Sequence, residues 1–153
     1  MSYLVDTNVL LRSVQKSHQM HSDAVRAIEL LLRNPEAVSV IPQNLIEFWA
    51  VATRPEINNG LGLSVDETAQ RIAFFKFAFV LLPDTNDIFK EWERLVAQHQ
   101  VLGKQVYDAR LVAAMKVHNL TQLLTFNTSD FKRFTGITAI NPRDILLHET
   151  ENK

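Results

Sequence analysis

The sequence predicts an α/β protein, a three-layer α/β/α sandwich with a mainly parallel sheet of about five strands. Short apolar or β-branched runs, typical of buried strands, alternate along the chain with longer segments of helical periodicity. This alternation favours a parallel sheet with helices on both faces, because each parallel crossover needs a long connection. We expect a single domain over residues 1–153, with a disordered tail from about residue 147.

The composition fits a soluble globular domain and excludes several kinds of site. Of 153 residues, 46% are hydrophobic and 22% are charged, and no cysteine is present to form disulfides or thiolate metal sites. Asp6 interrupts the first apolar run, so no secretory signal is expected, and no apolar run is long enough to cross a membrane. The net charge of −1 provides no general attraction to nucleic acid, so a polyanionic substrate requires a local basic patch or bound cations.

The first half of the chain predicts two strands, each followed by a helix. Residues 3–5 are an apolar run typical of a buried strand, and a helix is predicted over residues 21–33. Residues 37–41 are β-branched and predict the second strand. Pro42 suits the first position of the next helix, which is expected to end near Pro55.

The second half predicts three more strands. Ser64 and Glu67 form a capping box for a helix that precedes a strand at residues 79–82. A long amphipathic helix is expected to begin at Asp84 or Thr85 and to end at Gly103. A helix over residues 105–118 and strands at residues 122–125 and 137–140 complete the pattern.

Four acidic residues are placed to meet at one edge of the predicted sheet: Asp6, Glu47, Asp108 and Asp130. Asp6 directly follows strand one, and Asp130 follows strand four a few residues later. Glu47 lies on the helix after strand two, and Asp108 lies in the first turn of the helix before strand four. Ligands of parallel sheets bind beyond the carboxyl ends of the strands. Each acid also has an ordinary explanation: a cap at Asp6, an exposed helix stripe at Glu47, a favourable helix dipole at Asp108 and a turn at Asp130.

Four carboxylates at one edge would repel one another strongly unless cations neutralised them. Oxygen ligands without cysteine or histidine suit Mg²⁺ or Mn²⁺. Such ions activate water and stabilise the charge on a phosphodiester during hydrolysis. Basic residues near the last two acids could form a rim for a nucleic-acid backbone, although a solvated surface explains them equally well: Lys104, Arg110, Lys132 and Arg133.

The chain resembles the PIN-domain ribonucleases, and specifically the VapC-like toxins of type II toxin–antitoxin pairs. Four segments carry the resemblance over nearly the whole chain: LVDTNVLLR, NLIEFWAV, YDARLVAAM and LLTFNTSDF. Any one of them is a weak signal, but all four occur in the family's order and at its spacing.

The resemblance implies a PIN-like fold in which Asp6, Glu47, Asp108 and Asp130 are metal-binding catalytic acids. It makes Thr7, Asn8, Thr125 and Asn127 polar supports. Many members have an Asp where this sequence has Asn127, so the fourth ligand position is assigned either there or to Asp130. The resemblance further implies a homodimer, cytoplasmic cleavage of RNA, and inhibition by a small antitoxin whose tail fills the active-site groove.

Two other functions remain open at the level of sequence. A non-catalytic metal- or RNA-binding module would share the fold and the acids. A haloacid-dehalogenase-type phosphatase also has an Asp after strand one, but its chemistry needs a second carboxylate two residues later, where this chain has Asn8. The tripeptide Asp-Thr-Asn occurs twice, and we interpret the second copy, beginning at Asp84, as a helix cap.

Overall fold

Five parallel strands form one sheet in the computed structural model, which describes residues 1–151. The strands are β1 (Tyr3–Val5), β2 (Val38–Val40), β3 (Val80–Leu81), β4 (Gln122–Leu124) and β5 (Thr138–Ile140). Their order is β3-β2-β1-β4-β5, and all four pairings are parallel. The predicted α/β class and five-stranded sheet are therefore confirmed, and β1 lies at the centre.

Seven α-helices cover the two faces of this sheet within residues 1–151. They are α1 (Thr7–Val14), α2 (His21–Leu31), α3 (Pro42–Ala52), α4 (Val65–Ala78), α5 (Asn86–Gln98), α6 (Gln105–Val117) and α7 (Ile145–Glu151). One apolar core joins the sheet to α1–α4 and α7, and a second core joins it to α5 and α6. No helix in the described part of the chain has the length and apolar character needed to span a membrane.

The alternation of side chains along the strands produces these two cores. In β1, Tyr3 and Val5 lie in the first core, whereas Leu4 lies in the second. Likewise Leu124 of β4 belongs to the first core and Leu123 to the second. All five side chains are buried, which explains why the central strands are apolar throughout rather than alternating with polar residues.

Local signals determine where several helices begin. Pro42 occupies the first turn of α3, where its missing N–H costs no hydrogen bond. The predicted capping box is confirmed at α4, where Ser64 Oγ accepts from the Glu67 N–H at 3.1 Å and Glu67 Oε1 accepts from the Ser64 N–H at 3.2 Å. The starts of α3 and α4 therefore agree with the sequence prediction.

Most boundaries lie within about three residues of the prediction, but the end of α5 and the C-terminal tail differ by more. Gly103 was expected to end α5, but that helix ends at Gln98, and the left-handed residue Gln100 (φ 48°) begins the connection to α6. Gly103 (φ 58°) instead lies in the turn directly before α6. The disordered tail expected from about residue 147 is helical as far as Glu151, and residues 152–153 lie outside the described residues.

Candidate active site

Asp6 lies at the carboxyl end of the central strand and is the N-cap residue of α1. Its Oδ1 accepts from the Thr7 backbone N–H at 2.7 Å, and its Oδ2 accepts from the Thr125 hydroxyl at 2.8 Å. Burial, with a smaller contribution from the charges of Asp108 and Glu47, raises the pKa of Asp6 to about 7, and the two hydrogen bonds oppose this rise. The expected cap role is confirmed, and the same carboxylate lies within electrostatic range of two other acids.

Glu47 projects from the second turn of α3 and is half-buried, so it does not lie on an exposed stripe. The Thr7 hydroxyl donates to Glu47 Oε1 at 3.1 Å, and Asn44 Nδ2 donates to that hydroxyl at 3.4 Å. Burial raises the pKa of Glu47, while the hydrogen bond from Thr7, the nearby amide of Gln43 and the charge of Arg110 lower it. Thr7 therefore joins the start of α1 to this acid.

Asp108 occupies the first turn of α6, which places the start of that helix at the same edge of the sheet. Burial and, to a smaller extent, the negative charges of Asp130 and Glu47 raise its pKa to about 6, against the opposing charge of Arg133. The favourable position at a helix N-terminus does not prevent this rise. Asp108 thus interacts electrostatically with Asp130 on one hand and with Glu47 on the other.

The segment after β4 holds the remaining acid and two of the expected polar supports. Asp130 is exposed in a short 3₁₀ helix (Thr128–Phe131), where its N–H donates to Asn127 O at 3.1 Å. The Asn127 N–H donates to Thr125 Oγ1 at 3.1 Å, and within residues 1–151 the Asn127 side chain makes no hydrogen bond. The support from Asn127 is therefore a backbone contact.

Asn8 holds the end of β1 against the end of β4. Its Nδ2 donates to Asp6 Oδ2 at 3.4 Å and to Thr125 Oγ1 at 3.2 Å, and its Oδ1 accepts from the Phe126 N–H at 3.2 Å. Both ends of this amide are therefore directed at the site. A haloacid-dehalogenase-type phosphatase needs an acid/base carboxylate at this position. This chain instead has the Asn8 amide, which orients Asp6.

The four acids share one electrostatic environment but do not form a preassembled ligand cage. Among residues 1–151, no three His, Asp or Glu side chains lie close enough together to hold a metal ion as they stand. The donor chemistry nevertheless suits a hard divalent cation, because the donors are carboxylate oxygens. Mutual repulsion and burial raise the pKa of Asp6 and of Asp108, and a bound cation would relieve both effects.

Of the four predicted basic contacts, two are anchored beside the acids. Arg110 donates from Nη1 to Gln43 at 3.0 Å and forms an ion pair with Asp84 at 3.3 Å. Arg133 donates from Nη2 to Gln105 Oε1 at 2.8 Å. Both lysines, Lys104 and Lys132, are exposed, and within the described residues they make no side-chain hydrogen bond or ion pair.

Comparison with known proteins identifies the family. The family model for the PIN domain matches residues 3–137, which include strands β1–β4 and all four acids. The chain belongs to the PIN domain family. No match is found among curated protein sequences.

Solved structures of similar shape agree with this PIN fold. VapBC2 from Rickettsia felis, bound to a DNA fragment from its promoter, has a TM-score of 0.70 at 16% identity, covering 92% of this chain and 98% of that one. DNA-bound VapBC from Salmonella typhimurium also has a TM-score of 0.70 at 16% identity, with 93% and 98% covered. VapC20 from Mycobacterium tuberculosis, a toxin that cleaves the sarcin–ricin loop, has a TM-score of 0.65 at 18% identity, with 90% and 99% covered.

Two buried amides of this PIN domain were missed by sequence reasoning. Gln43 and Asn44 follow Pro42 directly in the first turn of α3, and both are buried. Asn44 Oδ1 accepts from the Ile41 N–H at 2.9 Å and caps the helix. Two features of the sequence could have identified these amides. Both are polar residues at the start of an otherwise apolar helix, and Gln43 lies four residues before Glu47, on the same helix face.

The second Asp-Thr-Asn copy is not the helix cap that the sequence suggested. Thr85 occupies the N-cap position of α5, and its side chain makes no capping hydrogen bond. Asp84 instead pairs with Arg110 of α6. The interpretation of Asp84 as a cap was wrong because β3 ends at the same edge of the sheet as β1, which brings Asp84 within reach of α6.

Proposed function

We propose that the protein is a Mg²⁺- or Mn²⁺-dependent endoribonuclease, the toxin of a type II toxin–antitoxin pair. One observation carries the proposal: Asp6, Glu47, Asp108 and Asp130 come from four separate segments and act electrostatically on one another at the carboxyl edge of a PIN sheet. Bringing like charges together costs folding free energy, so their convergence favours a role in binding cations.

The residues of the site divide into ligands and groups that orient them. Asp6, Glu47, Asp108 and Asp130 would hold the ion; Thr125 and Asn8 orient Asp6, and Thr7 orients Glu47. A bound Mg²⁺ or Mn²⁺ supplies an activated water and charge stabilisation for phosphodiester hydrolysis. We assign the fourth position to Asp130, since its charge acts on Asp108 whereas Asn127 contributes a backbone contact.

RNA is the proposed substrate because anchored cations flank the acids and because a protein of the same fold cleaves RNA. Arg110 and Arg133 influence the pKa of Glu47 and of Asp108, respectively, so each guanidinium lies near the acidic groups. A phosphate chain crossing the site would meet one arginine near Glu47 and another near Asp108. The sarcin–ricin loop toxin of M. tuberculosis, similar in fold, supports RNA as the substrate class.

The test is incubation of the purified protein with total RNA and transfer RNA in the presence of Mg²⁺, Mn²⁺ or EDTA. Wild type should cleave only with metal, Asp6→Asn should lose at least about two orders of magnitude in rate, and Asp66→Asn should match wild type. Asp66 is the control because it is an exposed acid in the first helical turn of α4. Cleavage that survives EDTA contradicts the metal mechanism, and Mn²⁺ binding without cleavage of any RNA favours the non-catalytic module.

A protein partner and self-association belong to the same proposal. The R. felis and S. typhimurium structures are VapBC complexes, and this chain presents apolar residues on α3 and α4 for such a partner to cover: Ile46, Trp49, Phe74 and Phe77. We propose a cognate antitoxin, a homodimer and action in the cytoplasm. Light scattering of the purified protein tests the homodimer, and co-expression with any small reading frame found next to its gene tests the antitoxin.

A further inference from the structure

Gln43 is a buried amide that connects two helices of the candidate site. The residue is 9% exposed, and both ends of its side-chain amide are occupied. Nε2 donates to the Tyr107 carbonyl in the first turn of α6 at 2.9 Å, and Oε1 accepts from Arg110 Nη1 at 3.0 Å. A side chain that begins on α3 thus binds one backbone group and one cation of α6.

The groups that Gln43 contacts adjoin two of the acids. Tyr107 directly precedes Asp108 in the chain, so the bond to its carbonyl fixes the turn that carries Asp108. Glu47 lies four residues after Gln43 on the same face of α3, so Gln43 and this acid are carried by adjacent turns of one helix. One amide therefore sets the distance between an acid of α3 and an acid of α6.

Arg110 extends this connection to the edge of the sheet. Its Nη2 lies 3.3 Å from Asp84 Oδ1, and its Nη1 is held by Gln43, so the guanidinium is fixed from two sides. An exposed ion pair alone contributes little, since the Arg110 and Asp84 side chains are 34% and 46% exposed. The contact with the buried amide is what directs the cation toward the acids.

We propose that Gln43 is a positioning residue, which holds Glu47, Arg110 and the Asp108 turn in the arrangement that binds the cation and the RNA phosphates. This inference rests on the proposed function. A glutamine that served packing alone would be replaceable by a methionine of similar length and volume. As a positioning group it is not replaceable, because methionine neither donates to the Tyr107 carbonyl nor accepts from Arg110 as an amide oxygen does.

The experiment compares Gln43→Met with Gln122→Met. Gln122 is a matched control: it is 8% exposed, it hydrogen-bonds Thr121 and His148, and it begins β4 at the opposite edge of the sheet. Mn²⁺ binding is measured by calorimetry and unfolding by thermal melting, on the whole chain. We expect Gln43→Met to lose roughly tenfold or more in Mn²⁺ affinity and Gln122→Met less than about twofold, even at equal loss of thermal stability.

A second pair keeps the inference testable if the methionine variant does not fold. Gln43→Asn retains the amide but is one methylene too short to reach both partners, and Gln122→Asn is its control. RNA cleavage then gives a second readout: Gln43→Asn should lower kcat and raise KM together, since it disturbs both the acids and Arg110.

The possible outcomes separate this inference from the function on which it rests. If wild type binds Mn²⁺ and cleaves RNA while the Gln43 and Gln122 variants behave alike, the positioning role is overturned and the nuclease stands. If wild type binds Mn²⁺ without cleaving RNA and only the Gln43 variants lose affinity, the positioning role stands and the nuclease does not. Absence of any Mn²⁺ binding by wild type overturns both.

Discussion

The Thr125 hydroxyl, at the end of β4, donates a 2.8 Å hydrogen bond to the carboxylate of Asp6, at the end of β1. The parallel register that pairs Val5 with Leu124 makes the two residues neighbours, and the Asp6 N–H donates to the Leu124 carbonyl at 2.9 Å. Thr125 is fully buried and also accepts from the Asn127 N–H. One hydroxyl therefore orients the central acid and holds the loop that carries Asp130.

Replacing Thr125 by valine keeps the shape and removes this hydroxyl. We expect a loss of about 1–3 kcal/mol in the free energy of unfolding, because Asp6 Oδ2 and the Asn127 N–H lose a buried partner. We also expect roughly 10- to 100-fold weaker Mn²⁺ binding. Chemical denaturation and calorimetry measure the two effects.

Thr68→Val is the matched control for that substitution. Thr68 is equally buried, and its hydroxyl donates to the Ser64 carbonyl at 2.8 Å in α4, away from the acids. It should lower stability without weakening Mn²⁺ binding. Equal Mn²⁺ affinity in the two valine variants would show that the Thr125 hydroxyl has no role beyond stability.

In the absence of metal, the stability of Asp6→Asn relative to wild type should increase as the pH rises. The pKa of Asp6 is raised from 3.8 to about 7 on folding, so between these pH values the folded state binds more protons than the unfolded state. The Asp6 carboxyl therefore makes its full contribution to wild-type stability below about pH 4, and this contribution is lost as the pH rises through about 7. At about 1.4 kcal/mol for each pKa unit, the ionised form costs on the order of 4 kcal/mol.

The measurement is urea unfolding of both proteins in EDTA at about pH 5 and about pH 8. From about pH 5 to about pH 8, the unfolding free energy of Asp6→Asn should rise relative to that of wild type by about 2 kcal/mol or more. Asp66→Asn, which removes an exposed acid, should show no such shift. A constant difference between wild type and Asp6→Asn at both pH values contradicts a raised pKa at Asp6.

Mn²⁺ should stabilise wild type more at about pH 8 than at about pH 5.5. The pKa of Asp6 rises to about 7 and that of Asp108 to about 6, so protons compete with the cation for both carboxylates at the lower pH. Ligand binding to the folded state raises the melting temperature to an extent that grows with its affinity. Thermal melts at fixed Mn²⁺ concentration measure this, and an equal shift at both pH values would place the cation elsewhere.

The parts of the fold that were predictable from sequence are those with local physical causes. Pro42 at the start of α3 and the Ser64–Glu67 capping box mark their helices through contacts within four residues. The end of α5 was not predictable from Gly103, because the chain leaves the helix through a left-handed Gln100, a conformation that glutamine rarely adopts. Gly103 therefore marks the turn before α6 and not the end of α5.

The site shows the same division between local and long-range causes. The positions of Asp6 and Asp130 relative to the sheet were predictable because both residues follow strands closely, and parallel strands end at one edge. Gln43 and Asp84 were not, since their partners Tyr107 and Arg110 lie 64 and 26 residues away in the chain. Only the order of the strands brings these segments together, and that order is not encoded in any local pattern.

Arg110 and Arg133 should each contribute about one phosphate contact to RNA binding. Both are anchored by hydrogen bonds near the acids, whereas Arg94 pairs with Glu91 on the exposed surface of α5. Binding of single-stranded RNA releases counterions, so the slope of log affinity against log salt has a magnitude of about 0.7 for each phosphate that the protein neutralises. Arg110→Gln and Arg133→Gln should each reduce the slope by about this amount.

The experiment uses the Asp6→Asn background so that cleavage does not interfere with the titration. RNA affinity is measured at several salt concentrations for the two variants and for Arg94→Gln. The control should keep the full slope, because Arg94 lies on the exposed surface of α5 and its charge does not act on Asp6, Glu47 or Asp108. The double variant Arg110→Gln/Arg133→Gln should lose the sum of the two slopes, because Arg110 acts on Glu47 and Arg133 on Asp108, and independent sites contribute additively. A slope that falls equally in all three single variants would instead indicate a diffuse surface charge effect, and the RNA path would then lie away from the acids.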